Sequence, residues 1–464
     1  MNIAQIPPGH TAEVTTHGKK RRWIYPKVIK GKLYHYRVLV GYTLLGLLFT
    51  GPFIRINGEQ LFLFNIPERK FVFFGLVFLP QDFYIFVVGM LTFMVFIALF
   101  TVVLGRIWCG WACPQTIFME IIFRPIEYWI EGDHLQQKKL DAAPLSFTKV
   151  AKKAARHGIF LLVSFLIANI FLAYIIGAGS LIKIIREPVT AHIAGLSFLL
   201  LFTLVFHLVF ARLRELVCTV ICPYGRLQSV LLDNKSIQVM YDDVRGEPRG
   251  KRKRNSETPT GDCINCGLCV DVCPTGIDIR NGSQPECINC TACIDACDMV
   301  MKKLDRQPRL IGFKTEEQVT GRKPLRISKR VYAYSAVLGV LLISTAFLII
   351  RRSDIETSVY RASGTLYQEL PGSMISNLYT AELVNKTTHA VRFNIAADDP
   401  AVSIRYVNKQ TAIARDGSVK LTFFLVRRQN ELQDYKSEIR LNIFSNGKRI
   451  DQVRTTFIAP YKTY

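Results

Sequence analysis

Five apolar stretches without charged residues interrupt the polar pattern of this chain. Each is about 17 to 22 residues long, the length that an α-helix needs to cross a bilayer. They cover residues 38–54, 83–104, 158–177, 192–211 and 331–350. Residues 71–78 are also apolar but too few to span, so we expect an interfacial or re-entrant segment there. With 50% hydrophobic residues, the chain is predicted to be an integral membrane protein.

The distribution of basic residues predicts the side of the membrane that each segment occupies. One acid, Glu13, precedes the first span, against the basic residues Lys19, Lys20, Arg21, Arg22, Lys27, Lys30, Lys32 and Arg37. Since cytoplasmic segments carry an excess of Lys and Arg, the N-terminus is placed in the cytoplasm. Five crossings then place residues 105–157 and 212–330 in the cytoplasm and the C-terminal region outside. Arg351 and Arg352, just outside the last span, break this rule.

The net charge of +23 fits the same membrane interpretation. Basic residues beside apolar spans are attracted by the anionic inner leaflet, and the run Lys251–Arg254 is expected to be a solvated loop facing the lipid. Nucleic-acid binding would also suit a basic chain. No recognition motif accompanies the charge, so no nucleic-acid partner is predicted.

The hydrophobic pattern changes to alternation with a period of two from about Ser358 onwards. Residues 391–395 and 439–443 show it clearly, and Asn446-Gly447 is a hairpin turn signal. About seven short strands of this kind predict an all-β, immunoglobulin-like sandwich. No catalytic constellation is visible in it, so a docking or assembly role is expected.

All twelve cysteines lie between Cys109 and Cys297. Scattered cysteines would suggest structural disulfides, whereas short and regular spacings suggest metal ligation in a reducing compartment. Eight of them form two nearly identical runs with the spacing Cys-x-x-Cys-x-x-Cys-x-x-x-Cys. This pattern predicts a metal-binding segment on the cytoplasmic side.

The spacing of the two runs is typical of four-iron clusters. One compact loop supplies three thiolates to a cluster, and the fourth cysteine reaches across to the other cluster. One cluster is therefore predicted on Cys263, Cys266, Cys269 and Cys297. The other is predicted on Cys287, Cys290, Cys293 and Cys273.

A pair of zinc knuckles is the alternative for these eight cysteines, but zinc sites usually have looser spacing and longer gaps. The double run resembles the bacterial two-cluster ferredoxins over residues 255–305. Asp298 stands where the first run has Pro274. Its negative charge is expected to lower the potential of the neighbouring cluster without affecting ligation.

The remaining four cysteines form two Cys-x-x-x-Cys-Pro elements, Cys109 to Pro114 and Cys218 to Pro223, each just past the inner end of a predicted span. An apolar-rich stretch that could lie on the membrane as a helix follows each, at residues 115–130 and 224–232. The two halves therefore read as an internal repeat, and such repeats commonly place a site at their interface.

Local geometry suggests a reactive role for the paired cysteines. The prolines disfavour helical geometry at Cys113 and Cys222 but suit the first position of a new helix. A thiol at a helix start is expected to have a lowered pKa, which prepares it for a soft metal or for redox exchange. The alternative is that four buried thiols merely pack.

Two histidines lie in the fourth predicted span, His207 near its inner end and His192 near its outer end. A lone histidine in a span usually bonds to a neighbouring helix or carbonyl. For His207, ligation of copper or haem is the alternative.

The whole arrangement resembles the cytochrome c oxidase accessory proteins of the CcoG/FixG/RdxA family. The resemblance covers the basic N-terminus, five spans, both Cys-x-x-x-Cys-Pro elements, the eight-cysteine segment and the external immunoglobulin-like domain. It implies a role in assembly of a haem-copper terminal oxidase, with oxidase subunits or their assembly factors as partners and reduction of Cu(II) to Cu(I) as the activity. The spacing itself indicates electron transfer and not copper.

The resemblance and the preference of thiolates for Cu(I) together assign copper binding and reduction to Cys109, Cys113, Cys218 and Cys222. The expected cofactors are two four-iron clusters and copper. Two alternatives stay open: a quinol-oxidising subunit that feeds a periplasmic reductase, and a non-catalytic copper chaperone or scaffold. The electron donor is not identified, because no nucleotide or flavin fingerprint is evident.

The expected organisation is a multi-pass protein of the bacterial inner membrane, with its clusters in the cytoplasm and its C-terminal domain in the periplasm. Its parts are a basic N-terminus (1–37), a four-span domain (38–232), a ferredoxin-like domain (233–330), a fifth span (331–350) and the immunoglobulin-like domain (351–464).

Overall fold

The computed structural model describes residues 23–250, 260–322, 324, 326–362, 364, 366–387, 389–415, 417–431, 434–445 and 447–460. The basic residues 19–22 and the run 251–254 lie outside the described residues. The chain forms two compact units. The first comprises residues 1–50, 89–173 and 179–342, and the second comprises residues 51–88, 174–178 and 343–464.

Among the residues that the structure describes, four helices are long and apolar enough to cross a membrane, and they coincide with four of the five predicted spans. They are Phe83–Leu104, Phe147–Ile176, Val189–Leu213 and Lys329–Ile350. The first predicted span falls on the helix Lys32–Thr50, which is not among these four. A fifth crossing therefore stays a prediction.

Shorter helical segments connect the long helices, and five of the twelve cysteines lie within them: Cys109, Cys218, Cys269, Cys293 and Cys297. The α-helices are Ile107–Trp111, Pro114–Ile117, Arg124–Glu131, His134–Ala142, Ala178–Arg186, Pro223–Leu231, Asp243–Gly246, Leu268–Asp271, Ala292–Lys303 and Glu316–Thr320, and the π-helical segments are Phe118–Phe123, Val209–Leu213 and Val217–Ile221. Both stretches that were predicted to be helical after the Cys-x-x-x-Cys-Pro elements are helices. One antiparallel strand pair, Gln238–Tyr241 with Ile311–Lys314, flanks the eight-cysteine segment.

A cluster of aromatic rings fixes the helical stretch that follows Cys113. Phe118 and Phe123 project from this stretch onto rings of the two neighbouring spans, and Phe123 stacks on Phe210 with 4.7 Å between ring centroids. Phe160 and Phe206 complete the cluster. Such contacts stabilise beyond the area that they bury, so the first cysteine pair begins from a rigid support.

The second unit is built from β-strands. Its strands after the last span are Ile355–Arg361, Gln368–Leu370, Met374–Asn385, Val391–Arg392, Asn394–Ala397, Ser403–Tyr406, Ala412–Ile413, Ser418–Arg428, Lys436–Ser445 and Lys448–Ile458. A five-stranded sheet centred on Met374–Asn385 faces a three-stranded sheet centred on Lys436–Ser445. Apolar side chains from both sheets form one core, as the alternating pattern predicted. Ser445 pairs with Lys448 across the predicted hairpin turn, of which Asn446 lies outside the described residues.

Residues 71–78, where an interfacial or re-entrant segment is expected, form strands, and their position relative to a membrane surface stays a prediction. Phe62–Asn65, Lys70–Phe73 and Leu76–Phe78 make a three-stranded antiparallel sheet, preceded by the pair Arg55–Ile56 and Glu59–Gln60. Val72 and Val77 are buried in its small core. The run reads as continuously apolar because four of its other residues are phenylalanines, of which Phe73 packs edge to face on Phe78.

Arg352, which breaks the charge rule, has a buried acidic partner in the same unit. Its guanidinium lies 2.7 Å from the carboxylate of Asp82, and the ammonium of Lys386 lies 2.6 Å from the other oxygen. Burial opposes the charge of Asp82, but hydrogen bonds and the charges of Arg352 and Lys386 outweigh it and hold the pKa of Asp82 below its ordinary value. A local ion cluster therefore accounts for this cation.

Replacing Asp82 by Asn should lower the free energy of unfolding of the second unit by about 3 kcal/mol, because the buried Lys386 and the partly buried Arg352 lose a charged partner. Thermal unfolding in detergent checks this, with Glu382→Gln as the control, since its partner Lys420 is exposed. Because the folded pKa of Asp82 is lowered, its contribution is complete at neutral pH and is lost only as the pH falls below about 3.9. Equal stability of the two variants at pH 7 would contradict this account.

Candidate functional site

One cavity in the first unit is lined by the four cysteines that the spacing assigned to one cluster. Cys263, Cys266, Cys269 and Cys297 all contribute to its wall, together with Tyr241 and Arg280 among others. Cys297 thus comes from the second run and the other three from the first.

A second cavity brings together the other predicted set. Cys273 from the first run lies in its wall with Cys287, Cys290 and Cys293 from the second run, and Cys269 also contributes. The donor sets of both cavities suit iron–sulfur clusters, which are held by thiolates.

The two cysteine runs adopt the same backbone conformation. Asn265 and Asn289 have φ values of 56° and 53°, and two positions later Gly267 and Thr291 have φ values of 71° and 68°. Each left-handed residue precedes a helix that carries the third cysteine, Cys269 or Cys293. Thr291 adopts this conformation although it is β-branched, which costs energy that the surrounding structure must offset.

Burial strongly affects the thiols of the eight-cysteine segment. It is the largest cause that raises the pKa of Cys287 and Cys297 to about 12 and that of Cys269 and Cys290 to about 11. Metal ligation requires the thiolate, so binding of a metal or cluster must release these protons. Within the described ranges, no three Cys, His, Asp or Glu side chains are grouped as a ready metal-ion site.

Asp298, predicted to lower the potential of one cluster, has a cationic neighbour. Its carboxylate lies 3.5 Å from the Arg309 guanidinium and accepts a 2.7 Å hydrogen bond from the Arg309 amide. The charge of Asp298 also contributes to the raised pKa of Cys297. Arg309 therefore opposes part of the effect that Asp298 alone would have.

The two Cys-x-x-x-Cys-Pro elements have matching geometry. The Cys113 amide donates to the Trp108 carbonyl at 2.9 Å, and the Cys222 amide donates to the Val217 carbonyl at 2.7 Å, five residues back in both cases. Cys113 and Cys222 are extended, and each following proline begins a helix. A hydrogen bond to the residue five positions back makes a π-type turn, which is wider than an α-helical turn and is frequent at functional sites. The predicted break and restart of the helix at each proline is confirmed.

The expectation of lowered thiol pKa values is wrong in sign. Burial, the largest effect, raises the pKa of Cys109 and Cys218 to about 12 and also raises that of Cys113. The positive end of a helix dipole is a smaller effect than desolvation of a thiolate. Cys113 and Cys222 lie close enough to Cys109 to add to the rise in its pKa, and Cys109, Cys113 and Cys222 add in the same way to the rise at Cys218.

Side chains of the second half reach the first cysteine pair. The Cys109 thiol donates to Gln228 Oε1 at 3.1 Å, and Gln228 is completely buried. Arg106 donates to the carbonyl oxygens of Gly225, in the second half, and Pro285, beside the second cysteine run. Sequence reasoning missed Arg106 and Gln228, because neither belongs to a motif and their partners lie 119 or more residues away.

The turn after Cys109 packs directly against the second cysteine run. A Cβ atom on Gly110 would lie 2.5 Å from the Ile288 carbonyl oxygen and 2.9 Å from the Cys290 amide nitrogen, so a side chain does not fit there. The backbone of the Cys109 pair therefore touches the backbone of a predicted cluster ligand. Gly110, the glycine inside the motif, is the sequence feature that could have indicated this close approach of two backbones.

His207 lies beside a second histidine. Its Nε2 is 3.3 Å from His157 Nδ1 in the neighbouring span, and Arg156 lies 2.9 Å from His157 Nε2. This is the interhelical contact that a span histidine usually makes. A copper or haem role for His207 stays a prediction. His192 pairs with Glu187 at 2.5 Å.

Three family models match the chain. A "4Fe-4S dicluster domain" matches residues 213–316, a "4Fe-4S binding domain" matches residues 86–133, and the model for the "IG-like fold at C-terminal of FixG" matches residues 345–460. The predicted two-cluster segment and immunoglobulin-like domain agree with these matches. The match at residues 86–133 includes Cys109 and Cys113, which no prediction had assigned to iron.

Similar proteins are known from two bacteria. The nitrogen fixation protein FixG of Rhizobium meliloti is 39% identical over 64% of this chain, and the match spans 58% of that protein's length. Proteins RdxA and RdxB of Cereibacter sphaeroides are 35% and 34% identical, each over 82% of this chain and over 82% and 83% of their own lengths. With its apolar helices and its two-cluster domain, the chain therefore belongs to the FixG family of membrane iron–sulfur redox proteins.

Proposed function

We propose that this chain carries single electrons from its two-cluster segment to a thiol site formed by Cys109, Cys113, Cys218 and Cys222, where Cu(II) is reduced to Cu(I). The observation that carries this proposal is the backbone contact between Gly110 and Cys290. It provides a direct route from a predicted cluster ligand to the first thiol pair. Within the proposal, the eight cysteines of the two cavities hold the clusters in the crossed arrangement.

The chemistry of the proposed cysteine ligands suits electron transfer from the clusters to copper. When bound, four-iron clusters exchange electrons one at a time, and reduction of Cu(II) to Cu(I) needs one electron. Soft thiolates favour Cu(I), so a four-thiol site would stabilise the product. Arg106 holds the two halves and the second cysteine run together, which keeps the thiols near the route.

The cellular role that we propose is assembly of a haem-copper oxidase, with Cu(I) delivered to an oxidase subunit or to its assembly factor. Family membership supports this role, and the immunoglobulin-like domain offers a surface for docking. A quinol-oxidising subunit that feeds a periplasmic reductase is the second oxidoreductase function considered. A further alternative, a non-catalytic copper chaperone, would be excluded if the purified protein reduced Cu(II) catalytically.

Substituting Gly110 by Ala should slow transfer to copper without removing iron. The new methyl group would meet Ile288 and Cys290, and overpacking of this kind costs about 1–3 kcal/mol or forces the two backbones apart. Iron content and the rate of Cu(II) reduction check this. Gly158→Ala is the control, because nothing lies within 4 Å of its Cβ position. Equal rates for both variants would show that this contact is not on the route.

The proposed location places the cysteine-rich segment in the cytoplasm and the immunoglobulin-like domain in the periplasm of the bacterial inner membrane. This rests on an odd number of spans after a basic N-terminus. Protease added to intact spheroplasts should then remove the C-terminal domain. Protection in spheroplasts with cleavage in inverted vesicles would mean that one span is miscounted, the helix Lys32–Thr50 being the first to reconsider.

The family match at residues 86–133 favours a second candidate, a third cluster held by the four thiols. Metal analysis of anaerobically purified protein, with electron paramagnetic resonance, separates the two candidates. Two clusters require about eight irons per chain, and a third would raise this to about twelve. Eight irons with added copper on the thiols would support our proposal, whereas twelve irons or zinc in place of iron would contradict it.

A further inference from the structure

A cavity of about 450 Å³ lies beside the second cysteine run, wholly within the first unit. Its wall is made by the segment that leads into the helix Lys32–Thr50, by the helical stretch after Cys113 and by Cys290 with its neighbours. A cavity of this volume is within the range of small-molecule sites. Nothing described above gives it a role.

The cavity wall is predominantly basic. Lys27, Lys30, Arg37 and Arg124 contribute to it, against the acids Glu120 and Asp133. Glu120 is held by Arg124 at 2.9 Å and by Arg37 at 3.8 Å. The excess of positive charge favours an anionic ligand over a neutral one.

The wall is rigidly connected to the second cysteine run. Arg37 donates to the Cys290 carbonyl at 3.2 Å. The Asp295 carboxylate accepts from the amides of Leu33 and Tyr34 at 3.2 and 2.7 Å, which caps the helix Lys32–Thr50 from the helix that follows Cys290. Two aromatic side chains, Tyr34 and Tyr128, also line the cavity. Aromatic rings of this kind stack on flat ligands.

We propose that this cavity binds flavin mononucleotide in its reduced form, as the electron donor of the chain. Lys27 and Lys30 would attract the phosphate, and Tyr34 and Tyr128 are available to contact the flat ring. Oxidation of one reduced flavin releases two electrons, one for each proposed cluster, and two protons, which pass to the surrounding water. This donor site rests on the proposed function and adds the class of reductant to it.

The test uses the full-length protein in detergent, purified without oxygen, with anaerobic equilibrium dialysis against reduced flavin mononucleotide as the measure of binding. The double variant Lys27→Ala/Lys30→Ala should weaken binding of flavin mononucleotide by about tenfold or more, because charged contacts to the phosphate are lost. The matched control is Lys138→Ala/Lys139→Ala, which removes two exposed lysines outside the cavity. Riboflavin, which lacks the phosphate, should bind the wild type weakly and the lysine variant no worse.

Equal binding of flavin mononucleotide to the lysine variant, the control and the wild type would overturn the site. So would displacement of the flavin by a water-soluble quinone that binds more tightly, which would indicate a quinol donor. Dithionite reduces the clusters without the cavity and keeps the two proposals separate, provided that excess dithionite, which reduces Cu(II) directly, is removed before copper is added. If dithionite reduces the clusters of both the wild type and the lysine variant but reduced flavin reduces only those of the wild type, the donor site is supported. Failure of the reduced and desalted wild type to reduce Cu(II) would count against the proposed function alone.

Discussion

Changing Cys109 and Cys113 together to Ser is expected to lower Cu(II) reduction at least about 100-fold while the ferredoxin segment keeps its iron. The pair supplies half of the proposed copper ligands, and a hydroxyl is a poor replacement for a soft thiolate. Cys109 is also the thiol nearest in sequence to the contact between Gly110 and Cys290. Copper binding, iron content and the rate of Cu(II) reduction are measured on the same preparation.

The Cys218→Ser/Cys222→Ser variant is the matched comparison, since this pair has the same wide turn and the same proline-started helix. It should lose copper binding to a similar extent. If only the first pair mattered, the site would not be shared between the repeats. If a variant lacking all four thiols still bound and reduced copper at the normal rate, the copper site would lie elsewhere and the thiols would have a packing role.

Replacing Cys297 by Ser is expected to damage the same cluster as replacing Cys266, although the two residues belong to different runs. Both side chains line one cavity, whereas Cys273 lines the other with Cys287 and Cys290. Each single variant should therefore lose about four irons per chain and retain about four. Electron paramagnetic resonance of the reduced variants identifies which cluster signal disappears.

The assignment of cysteines to clusters is decided by which variants lose the same cluster signal. Cys297→Ser should resemble Cys266→Ser, and Cys273→Ser should resemble Cys290→Ser. If Cys297→Ser instead removed the signal that Cys290→Ser removes, each run would hold its own cluster. The crossed arrangement would then be wrong, although two clusters would remain.

The cysteine-rich segment was predictable from sequence because its information is local. The spacing within each run, together with the near repeat, was sufficient to group Cys297 with the first run and Cys273 with the second. Thr291 shows what the pattern concealed: it takes the left-handed conformation that Gly267 takes in the other run, and a β-branched residue gives no signal of it.

Features that depend on distant partners could not be predicted. Arg352 looked like an exception to the charge rule because Asp82 lies 270 residues away. Arg106 carried no motif although it bonds to the second half of the repeat and to Pro285 beside the second cysteine run. The pKa of Cys113 was misjudged for a related reason. Proline position indicates a helix start, but burial of the thiol depends on tertiary packing.

The apolar run at residues 71–78 shows a different limit. Its residues lack the period-two alternation of a strand, so length alone suggested a membrane-surface segment. In the structure both faces of the small sheet carry apolar side chains, with Val72 and Val77 buried and phenylalanines or Leu76 on the other strand positions of the run. A strand with two apolar faces cannot be distinguished from a short apolar helix by periodicity.

Rapid mixing of anaerobically reduced protein with Cu(II), followed by freeze-quenched electron paramagnetic resonance, tests the central claim most directly. In the wild type, the signal of the reduced clusters and the signal of Cu(II) should disappear together, with about two copper ions reduced per chain. In the Cys109→Ser/Cys113→Ser variant the clusters should stay reduced and Cu(II) should persist. Equal loss of both signals in that variant would show that copper receives electrons without the four thiols and would contradict the proposed route.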